Sequence, residues 1–543
     1  MTPPADAAPI PATPTPATPT PAPPSAASEL SGEQTSPATG NLAELVRVAA
    51  RRRPDKPALL FRDDCLTWSD VDAAVDAVAA GLLGLGLAPG DRVGLQLGNT
   101  PDFPVAYFGV LRAGLVAVPL NTGYTRAELA HALGDSGARA LLVPRSQAGT
   151  AQVLAAELAD LEHVVVTGTD TAPPGASTFD ALVDGGRAAG PVASGAGGED
   201  LAVVLYTSGT SGRPRGAMLP HRALLANLDQ GAQIDPPVVA EDDIVLLVLP
   251  LFHVYGLNAG LGAVARHGAT GLLCERFDPV ETLEQVRRHG VTSVVGAPPM
   301  WVAWSMLPDV EDAFSTVRLA LSGAAPLPAA VLHRVLESTG HHVFEGYGLT
   351  ETAPVLTTTL MSEVAKPASI GRPIPGVELK LLDEQGRPVE EGDPGEIVVR
   401  GANVFLGYWP DAADGPDADG WFATGDVAIL DEDGDLQLVD RRKEMVLVSG
   451  FNVYPREVED VLVAHPDVVE AAVLGVAHPS TGESVKALVV LREGARLSAD
   501  DVIGHCARSL ARFKCPTAVE FTASLPHSAT GKVSKGRLRE LSA

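Results

Sequence analysis

Cysteines, basic residues and long apolar runs are all scarce in this sequence of 543 residues. The four cysteines, Cys65, Cys274, Cys506 and Cys515, form no C-x-x-C pair and no zinc-type spacing. We therefore expect isolated reduced thiols in a cytoplasmic protein, and neither a disulfide framework nor a zinc site. No uninterrupted apolar run approaches the roughly 18 residues of a membrane-spanning helix, so we expect no integral membrane segment.

Basic residues are fewer than acidic residues and are unevenly distributed along the chain. The chain has 40 Lys and Arg against 67 Asp and Glu, a net charge of −27, which argues against wholesale binding to nucleic acid or to an anionic membrane. A polyanionic ligand must therefore meet a local basic patch. Residues 505–543 supply one, because they carry seven Lys or Arg and two Glu. No Lys or Arg precedes Arg47, so we expect neither a signal peptide nor a transit peptide.

The N-terminal residues 1–40 differ in composition from the rest of the chain. They hold eleven of its 45 prolines in an Ala-Pro-Thr run, which predicts a disordered tail. The whole chain is 45% hydrophobic and 20% charged, as is usual for a globular protein. Its length allows roughly three or four domain-sized units.

Short apolar runs alternate with helical periodicity from Asn41 to about Ile370. Ser69 is the predicted cap of a helix over Val71–Leu85, and another helix is predicted over Phe103–Ala113. This alternation predicts an α/β fold with mainly parallel sheets covered on both faces. The predicted strands are Arg92–Leu97, Val116–Leu120, Ala138–Val143, Val164–Val166, Leu201–Leu205, Ile244–Leu249 and Val291–Val295.

After about Ile370 the pattern changes to short alternating runs separated by turn residues. This predicts antiparallel hairpins that could form a small barrel. The strands predicted there are Val377–Leu382, Gly395–Arg400, Val427–Leu430 and Leu436–Val439. Beyond Arg441 mixed α and β signals return. The elements predicted in this last part are helices over Pro455–Val463 and, capped by Ser498, over Ala499 to about Leu510, with strands over Val468–Val476 and Val485–Leu491.

A stretch rich in glycine and hydroxyl groups, Tyr206 to Gly216, directly follows the predicted strand Leu201–Leu205. Its glycines allow a close backbone approach, and its hydroxyl and N–H groups can bind phosphate oxygens. Arg213 and Arg215 add positive charge. The stretch therefore predicts a triphosphate-binding loop, although it lacks the G-x-x-x-x-G-K-[ST] spacing of a Walker loop.

Three motifs in the middle of the chain could surround a ligand. Pro250–Gly256 places His253 just after a predicted strand, where α/β sheets bind ligands, although a lone histidine is more often structural. Leu321–Leu327 is a small-residue turn against which a flat ring could lie, or an ordinary tight turn. In Gly346–Glu351, Tyr347 can stack on a base, Thr350 can bind phosphate and Glu351 can hold Mg²⁺.

The later motifs carry charge. Trp421–Asp426 offers one carboxylate that suits ribose hydroxyls, or a solvated turn aspartate. Asp440–Glu444 is a charged run at the point where the pattern changes, as a linker would have. Ser528–Val533 presents Lys532 on a glycine-bearing loop inside the basic segment 505–543, which suits a nucleotide or CoA.

Taken together and in this order, the motifs resemble those of the acyl-adenylate-forming superfamily, the AMP-dependent synthetases and ligases. The wording Glu345-Gly-Tyr-Gly-Leu-Thr-Glu-Thr352 is most similar to that of fatty-acyl-CoA ligases. The resemblance covers about residues 41–543. It implies a large N-terminal domain over 41–439, made of two α/β subdomains and a small β-barrel, a hinge at 440–443, and a mobile α+β lid domain over 444–543.

The resemblance also implies two half-reactions and a residue for each task. A carboxylic acid attacks the α-phosphate of ATP with Mg²⁺, giving acyl-AMP and pyrophosphate, and the thiol of CoA then displaces AMP. The implied phosphate-binding residues are Thr207, Ser208, Gly209, Thr210, Ser211, Gly212, Arg215 and Gly216. The other implied residues are Gly323, Ala324 and Tyr347 for adenine, Asp426 and Arg441 for ribose, Thr350 for phosphate, Glu351 for Mg²⁺, Lys532 for adenylation, Lys443 as the hinge, and His253, Gly348 and Gly450 for the acyl group and CoA.

One residue departs from the family pattern. The family usually has lysine where Arg215 stands, so the loop carries a planar fork in place of a flexible ammonium group. The positive charge is kept, but we do not expect identical motion of the loop.

The sequence leaves alternatives open. The uncharged stretch Val291–Met306 favours a medium- or long-chain fatty acid, while Trp301, Trp304 and Tyr255 would allow an aryl acid. The acceptor could be the phosphopantetheine of a carrier protein in place of CoA. In another class, the chain could be a nucleotide-binding regulator that has lost its chemistry. The sequence does not distinguish a monomer from a homodimer.

Overall fold

A computed structural model describes residues 40–193, 195–207, 214–362, 366–390, 392–441, 444–448, 451–478, 482–527 and 532–542. The predicted N-terminal tail lies outside these residues, except for Gly40. No helix in the described ranges is both long and apolar enough to cross a membrane.

The helices of the described part are α1 Glu44–Arg52, α2 Trp68–Gly84, α3 Asp102–Arg112, α4 Arg126–Ser136, α5 Ala148–Glu157, α6 Phe179–Ala189, α7 His221–Ala232, α8 Ala263–His267, α9 Pro279–His289, α10 Pro298–Trp304, α11 Val310–Ala313, α12 Ala329–Thr339, α13 Pro455–Val463, α14 Ala499–Cys506 and α15 Lys535–Ser542.

The strands are β1 Pro57–Phe61, β2 Asp64–Thr67, β3 Arg92–Leu95, β4 Val116–Pro119, β5 Ala138–Pro144, β6 His163–Thr167, β7 Ser177–Thr178, β8 Leu201–Thr207, β9 Arg215–Pro220, β10 Ile244–Leu247, β11 Thr270–Leu273, β12 Ser293–Gly296, β13 Leu319–Ser322, β14 Val343–Gly348, β15 Val355–Thr358, β16 Ser369–Pro373, β17 Val377–Leu382, β18 Gly395–Gly401, β19 Phe422–Leu430, β20 Leu436–Arg441, β21 Val446–Val448, β22 Phe451–Val453, β23 Val468–His478, β24 Gly482–Leu491 and β25 Ala518–Phe521.

Two α/β sheets form the body of the protein, as the alternating pattern predicted. Among the described residues, one sheet has seven strands in the order β7-β6-β5-β3-β4-β8-β9. Its strands pair in parallel as far as β8, and β9 closes the edge as an antiparallel hairpin with β8. The second sheet runs β17-β18-β19-β20-β16-β15-β14-β13-β12-β10-β11-β1-β2 in the same part of the chain.

The second sheet changes from parallel to antiparallel pairing at β14. This strand pairs in parallel with β13 on one side and antiparallel with β15 on the other. The predicted change near Ile370 therefore comes one strand earlier, because the short strand β15 is almost wholly buried and no alternation marks it. Beyond it, β16 to β20 form the predicted antiparallel hairpins.

The last part of the chain has its own sheet and core. Its strands follow the order β22-β21-β24-β23, and β25 pairs in parallel with β24. Buried residues from α13, α14 and this sheet, including Val458, Val473, Val489 and Cys506, form a separate apolar cluster. This is the α+β architecture that the resemblance implied.

Some predicted boundaries and caps were wrong. Thr67, not Ser69, caps α2, because Thr67 and Asp70 exchange hydrogen bonds in a capping box. The helix capped by Ser498 ends at Cys506 and does not reach Leu510. By contrast, the helix Pro455–Val463 and the Ser498 cap are as predicted.

Candidate functional site

The predicted motifs meet at one edge of the larger sheet. Strands β10, β12, β13 and β14 are parallel neighbours, so their carboxyl ends lie along the same edge. His253 follows β10, Gly323 follows β13 directly, and Tyr347 lies near the end of β14. This edge is where α/β sheets bind ligands.

The small-residue turn after β13 accepts a flat ring, and the ring is the chain's own Tyr255. A Cβ atom added to Gly323 would come within 2.8 Å of the Tyr255 Cζ, so only glycine allows this contact. Ala324, the next residue, has a positive φ of 72°. Tyr255 begins a π-helical segment over Tyr255–Gly262, an irregularity that is frequent at functional sites. The adenine-binding role of Gly323 and Ala324 stays a prediction.

The two sides of the predicted phosphate loop are the paired ends of the antiparallel strands β8 and β9, which we call the phosphate hairpin. Thr207 on β8 lies opposite Arg215 on β9. Gly216 is closely packed, because an added Cβ would lie 2.6 Å from a Val204 methyl group and 3.3 Å from the Trp409 Cβ. The intervening residues of the prediction, Ser208, Gly209, Thr210, Ser211, Gly212 and Arg213, lie outside the described part of the chain.

The structure connects the phosphate hairpin to Glu351 through Tyr408, which the sequence analysis missed. The Tyr408 hydroxyl donates a hydrogen bond of 2.5 Å to Glu351 Oε1. The Arg215 guanidinium carbon lies 3.9 Å from the centre of the Tyr408 ring, and Arg215 Nη1 lies 2.8 Å from Asp414 Oδ2. The only sequence signal for Tyr408 was an aromatic pair, Tyr408-Trp409, within a loop rich in Gly and Asp.

Tyr347 and Asp426, predicted on separate motifs, are in direct contact. The Tyr347 hydroxyl donates a 2.7 Å hydrogen bond to Asp426 Oδ2, and Asp426 is only 3% exposed. Asp426 on β19 lies opposite Arg441 on β20, which brings the two predicted ribose residues into register. The side chain of Arg441 lies outside the described part.

Lys532, from the last motif, lies near His253. Burial and then the charge of Lys532 lower the pKa of His253 from an ordinary 6.5 to about 4, so this imidazole is neutral at physiological pH. The Tyr255 backbone N–H donates to His253 Nδ1 at 3.3 Å. The Lys532 side chain is exposed to solvent. The predicted adenylation lysine and the predicted acyl-pocket histidine therefore belong to one site.

Glu345 is a second residue that the sequence analysis quoted without giving it a task. It is 7% exposed, and its Oε1 accepts a 2.9 Å hydrogen bond from the Leu327 N–H in the turn after β13. Burial raises the pKa of Glu345 to about 7, although the Leu327 hydrogen bond and the charge of Arg456 on α13 oppose this. Glu345 thus ties the predicted adenine turn to β14.

Several predicted residues have packing roles in this structure. A Cβ added to Gly348 would lie 1.8 Å from the Pro354 carbonyl oxygen, so glycine is required there whatever its role toward CoA. Thr350 begins a short 3₁₀ turn that carries Glu351.

Trp301 and Trp304 are fully buried and meet edge to face at 5.6 Å, which leaves Tyr255 as the half-buried aromatic candidate for contact with an acid. Lys443 and Gly450 lie outside the described residues.

The residues around Glu351 fit Mg²⁺ bound together with a nucleotide. Mg²⁺ is usually held by one or two carboxylates plus phosphate oxygens and water. Among the described residues there is no cluster of three or more His, Cys, Asp or Glu that could hold a metal alone. A cation here would therefore take Glu351 from the protein and its remaining ligands from ATP and water.

Comparison with known proteins identifies the family of this chain. The family described as AMP-binding enzyme matches residues 46–409, and the AMP-binding enzyme C-terminal domain matches residues 457–532. The chain belongs to the AMP-binding enzyme family.

Relatives and a solved structure match nearly the whole chain. A long-chain-fatty-acid–CoA ligase of Yersinia pestis is 38% identical over 532 residues, which cover 92% of this chain and 94% of the relative. A feruloyl-CoA synthase of Amycolatopsis sp is 38% identical over 496 residues, covering 90% of this chain and 96% of the relative. The crystal structure of ATP-bound MatB from Rhodopseudomonas palustris matches with a TM-score of 0.83 at 32% identity, over 93% of this chain and 99% of that chain.

Proposed function

We propose that this protein is an ATP-dependent, AMP-forming ligase that joins a fatty acid with an apolar tail to CoA. The observation that carries the proposal is the similarity to long-chain-fatty-acid–CoA ligases along nearly the full length of both chains. The site supports it, because Lys532, His253, Tyr347, Asp426 and Glu351 are the residues that the two half-reactions need. A nucleotide-binding regulator without chemistry would use Tyr347, Asp426 and Glu351 as well, but it would have no use for the adenylation lysine Lys532.

In the first half-reaction the acid's carboxylate oxygen attacks the α-phosphorus of ATP and pyrophosphate leaves. Negative charge grows at phosphorus, so we assign Lys532 and the phosphate hairpin with Arg215 to its stabilisation. Mg²⁺, held by Glu351 and the phosphates, would neutralise charge on the triphosphate. Tyr347 and Asp426 would hold the nucleoside.

In the second half-reaction the CoA sulfur attacks the acyl carbonyl carbon and AMP leaves with the electrons of the broken C–O bond. The same pocket must exclude water in both steps, since acyl-AMP would otherwise hydrolyse. We propose that the part after residue 443 acts as the lid, and that Lys443 is its pivot and Gly450 lines the CoA path. The neutral His253 suits an apolar acyl pocket, because it adds no charge to it.

The proposal also covers the location and the co-substrates. The similarity to ATP-bound MatB supports ATP as the nucleotide, and the names of the CoA ligase relatives support CoA as the acceptor. The cytoplasmic location and the domain limits 41–439 and 444–543 stay predictions from the sequence.

An aryl acid is the second candidate substrate. The feruloyl-CoA synthase relative is as similar in identity as the fatty-acid relatives, and the half-buried Tyr255 ring lies at the edge of the sheet where the acid would bind. Against it, a tail of CH₂ groups gains about 0.8 kcal/mol per buried group, which favours longer acids until the pocket is full.

The test is kcat/KM for AMP formation with ATP and CoA across acetate, octanoate, palmitate, cinnamate, malonate and an amino acid. We expect octanoate or palmitate to be preferred. Preference for cinnamate would select the aryl candidate. Preference for malonate or the amino acid would contradict the apolar pocket, because their second charge would need a buried partner. Preference for acetate would contradict it too, because acetate has no apolar tail to bury. Replacing CoA with a phosphopantetheine carrier protein tests the acceptor.

A further inference from the structure

Tyr408 lies between two parts of the site that the sequence separates widely. Its hydroxyl donates to Glu351 Oε1 at 2.5 Å, while its ring supports the guanidinium of Arg215 at 3.9 Å. A carboxylate has two oxygens, so a hydrogen bond at Oε1 fixes the plane of the group and leaves Oε2 for a cation.

The backbone around Tyr408 holds the ring in this place. The Phe405 N–H donates to the Glu351 carbonyl at 2.9 Å, and the Trp409 N–H donates to the Gly216 carbonyl at 2.8 Å. Tyr408 itself forms an antiparallel bridge with Ala217 of β9. The segment 405–409 is therefore bonded to Glu351 on one side and to the phosphate hairpin on the other.

Arg215 fixes the ring from its open face. The planar guanidinium stacks on the phenol and pairs with Asp414 at 2.8 Å, an arrangement that a lysine ammonium cannot reproduce. Within the described residues Asp414 takes only Nη1, and a guanidinium has further N–H groups that can bind phosphate.

We propose that Tyr408 is a positioning residue that orients Glu351 toward Mg²⁺·ATP, and that Arg215 and the β9 backbone hold the Tyr408 ring for this task. The inference rests on the proposed function, because it concerns how the enzyme binds its metal–nucleotide substrate. Tyr408 does not itself contact substrate in this scheme. It couples the phosphate hairpin to the metal carboxylate.

The experiment measures ATP binding without any acid, so that no turnover occurs. Equilibrium dialysis with labelled ATP gives Kd in Mg²⁺ and in EDTA for the wild type and for Tyr408→Phe. We expect Tyr408→Phe to weaken binding of Mg²⁺·ATP about tenfold, the scale of one hydrogen bond to a charged group. In EDTA the loss should stay below about twofold, because Glu351 then has no cation to meet.

Tyr107→Phe is the matched control. It removes a phenolic hydroxyl that is buried in α3 and, within the described residues, has no hydrogen-bond partner. Its Kd should equal that of the wild type in both conditions. A change as large as that of Tyr408→Phe would overturn the inference, since loss of any buried hydroxyl would then be enough.

A double-mutant cycle with Glu351→Gln isolates the coupling. In the Glu351→Gln background, Tyr408→Phe should change the Kd for Mg²⁺·ATP by less than about twofold. Equal losses in Mg²⁺ and EDTA, or a full tenfold loss without Glu351, would overturn the positioning role. If the wild type itself bound ATP no better with Mg²⁺ and released no pyrophosphate with any acid, the proposed function would fail as well. If the wild type binds Mg²⁺·ATP and releases pyrophosphate as expected while Tyr408→Phe has the same Kd, the positioning role of Tyr408 is wrong and the proposed function stands.

Discussion

Lys532→Ala should separate the two half-reactions. Lys532 lies close enough to His253 for its charge to lower the pKa of that histidine, so it reaches the edge of the sheet where the acid and ATP would meet. Losing one positioned charge-stabilising donor costs about 10²–10³-fold in rate, or about 3–4 kcal/mol in the barrier. We expect adenylation to fall by that factor. Because the side chain is exposed, the unfolding temperature should not change.

The assay follows each half-reaction by itself. Pyrophosphate release from ATP and a fatty acid reports adenylation, and acyl-CoA formation from supplied acyl-AMP reports transfer, which should stay within about threefold of wild type. Lys535→Ala is the matched control, because the partly buried Lys535 forms ion pairs with Glu444 at 3.1 Å and Glu459 at 2.8 Å. It should lower the unfolding temperature and slow both steps alike. An equal loss in both steps for Lys532→Ala would make Lys532 a structural residue and refute the assignment.

Two further predictions address the buried carboxyl and the proposed pivot. Burial raises the pKa of Glu345 to about 7, so between its unfolded pKa and about 7 the folded protein holds a proton that the unfolded chain has lost, and stability falls as pH rises through that window. The free energy of unfolding of Glu345→Gln should therefore rise relative to that of the wild type between pH 5 and pH 8, by on the order of 2 kcal/mol, with the exposed Glu337→Gln as control. A difference that stays constant across this range would count against the buried charge. Lys443→Pro should fix φ at the pivot, so that pyrophosphate release continues while acyl-CoA formation drops at least about tenfold. Normal overall turnover of this variant would contradict the two-pose mechanism.

The parallel strands were predictable because a strand that is buried on both faces has apolar residues at nearly every position. Val116–Pro119 and Ser293–Gly296, for example, are buried at every position. The caps were predictable where the chemistry is local, as at Ser498, whose partner Asp501 is three residues away. The cap of α2 was predicted wrongly at Ser69, because Thr67 and Ser69 both carry hydroxyls and precede the same apolar run. Only the Asp70 side chain, which bonds back to Thr67, decides between them.

The contacts that build the candidate site were less accessible to the sequence. Tyr408 contacts Glu351, which is 57 positions away in the sequence, and Arg215, which is much farther away, because an irregular segment without a periodic signal pairs with β9. The start of β19 was missed for a similar reason, because Phe422 and Ala423 pair with β18 although the following Thr-Gly-Asp reads as a turn. Motif order located the residues, but only the strand pairing shows which of them touch.

The basic C-terminal segment shows why net charge alone could not assign its lysines. Lys535 pairs with two glutamates of its own part of the chain, and Arg537 reaches Glu128 on α4 at 3.9 Å. The Arg537–Glu128 pair is exposed, and surface ion pairs of this kind are each worth only about 0–1 kcal/mol. Lys532 differs, since its charge acts on the buried His253 at the edge of the larger sheet. The weak Arg537–Glu128 pair thus connects the segment to α4 at little energetic cost to its release, which is compatible with the lid that we propose, one that brings Lys532 in for adenylation and withdraws it for transfer to CoA.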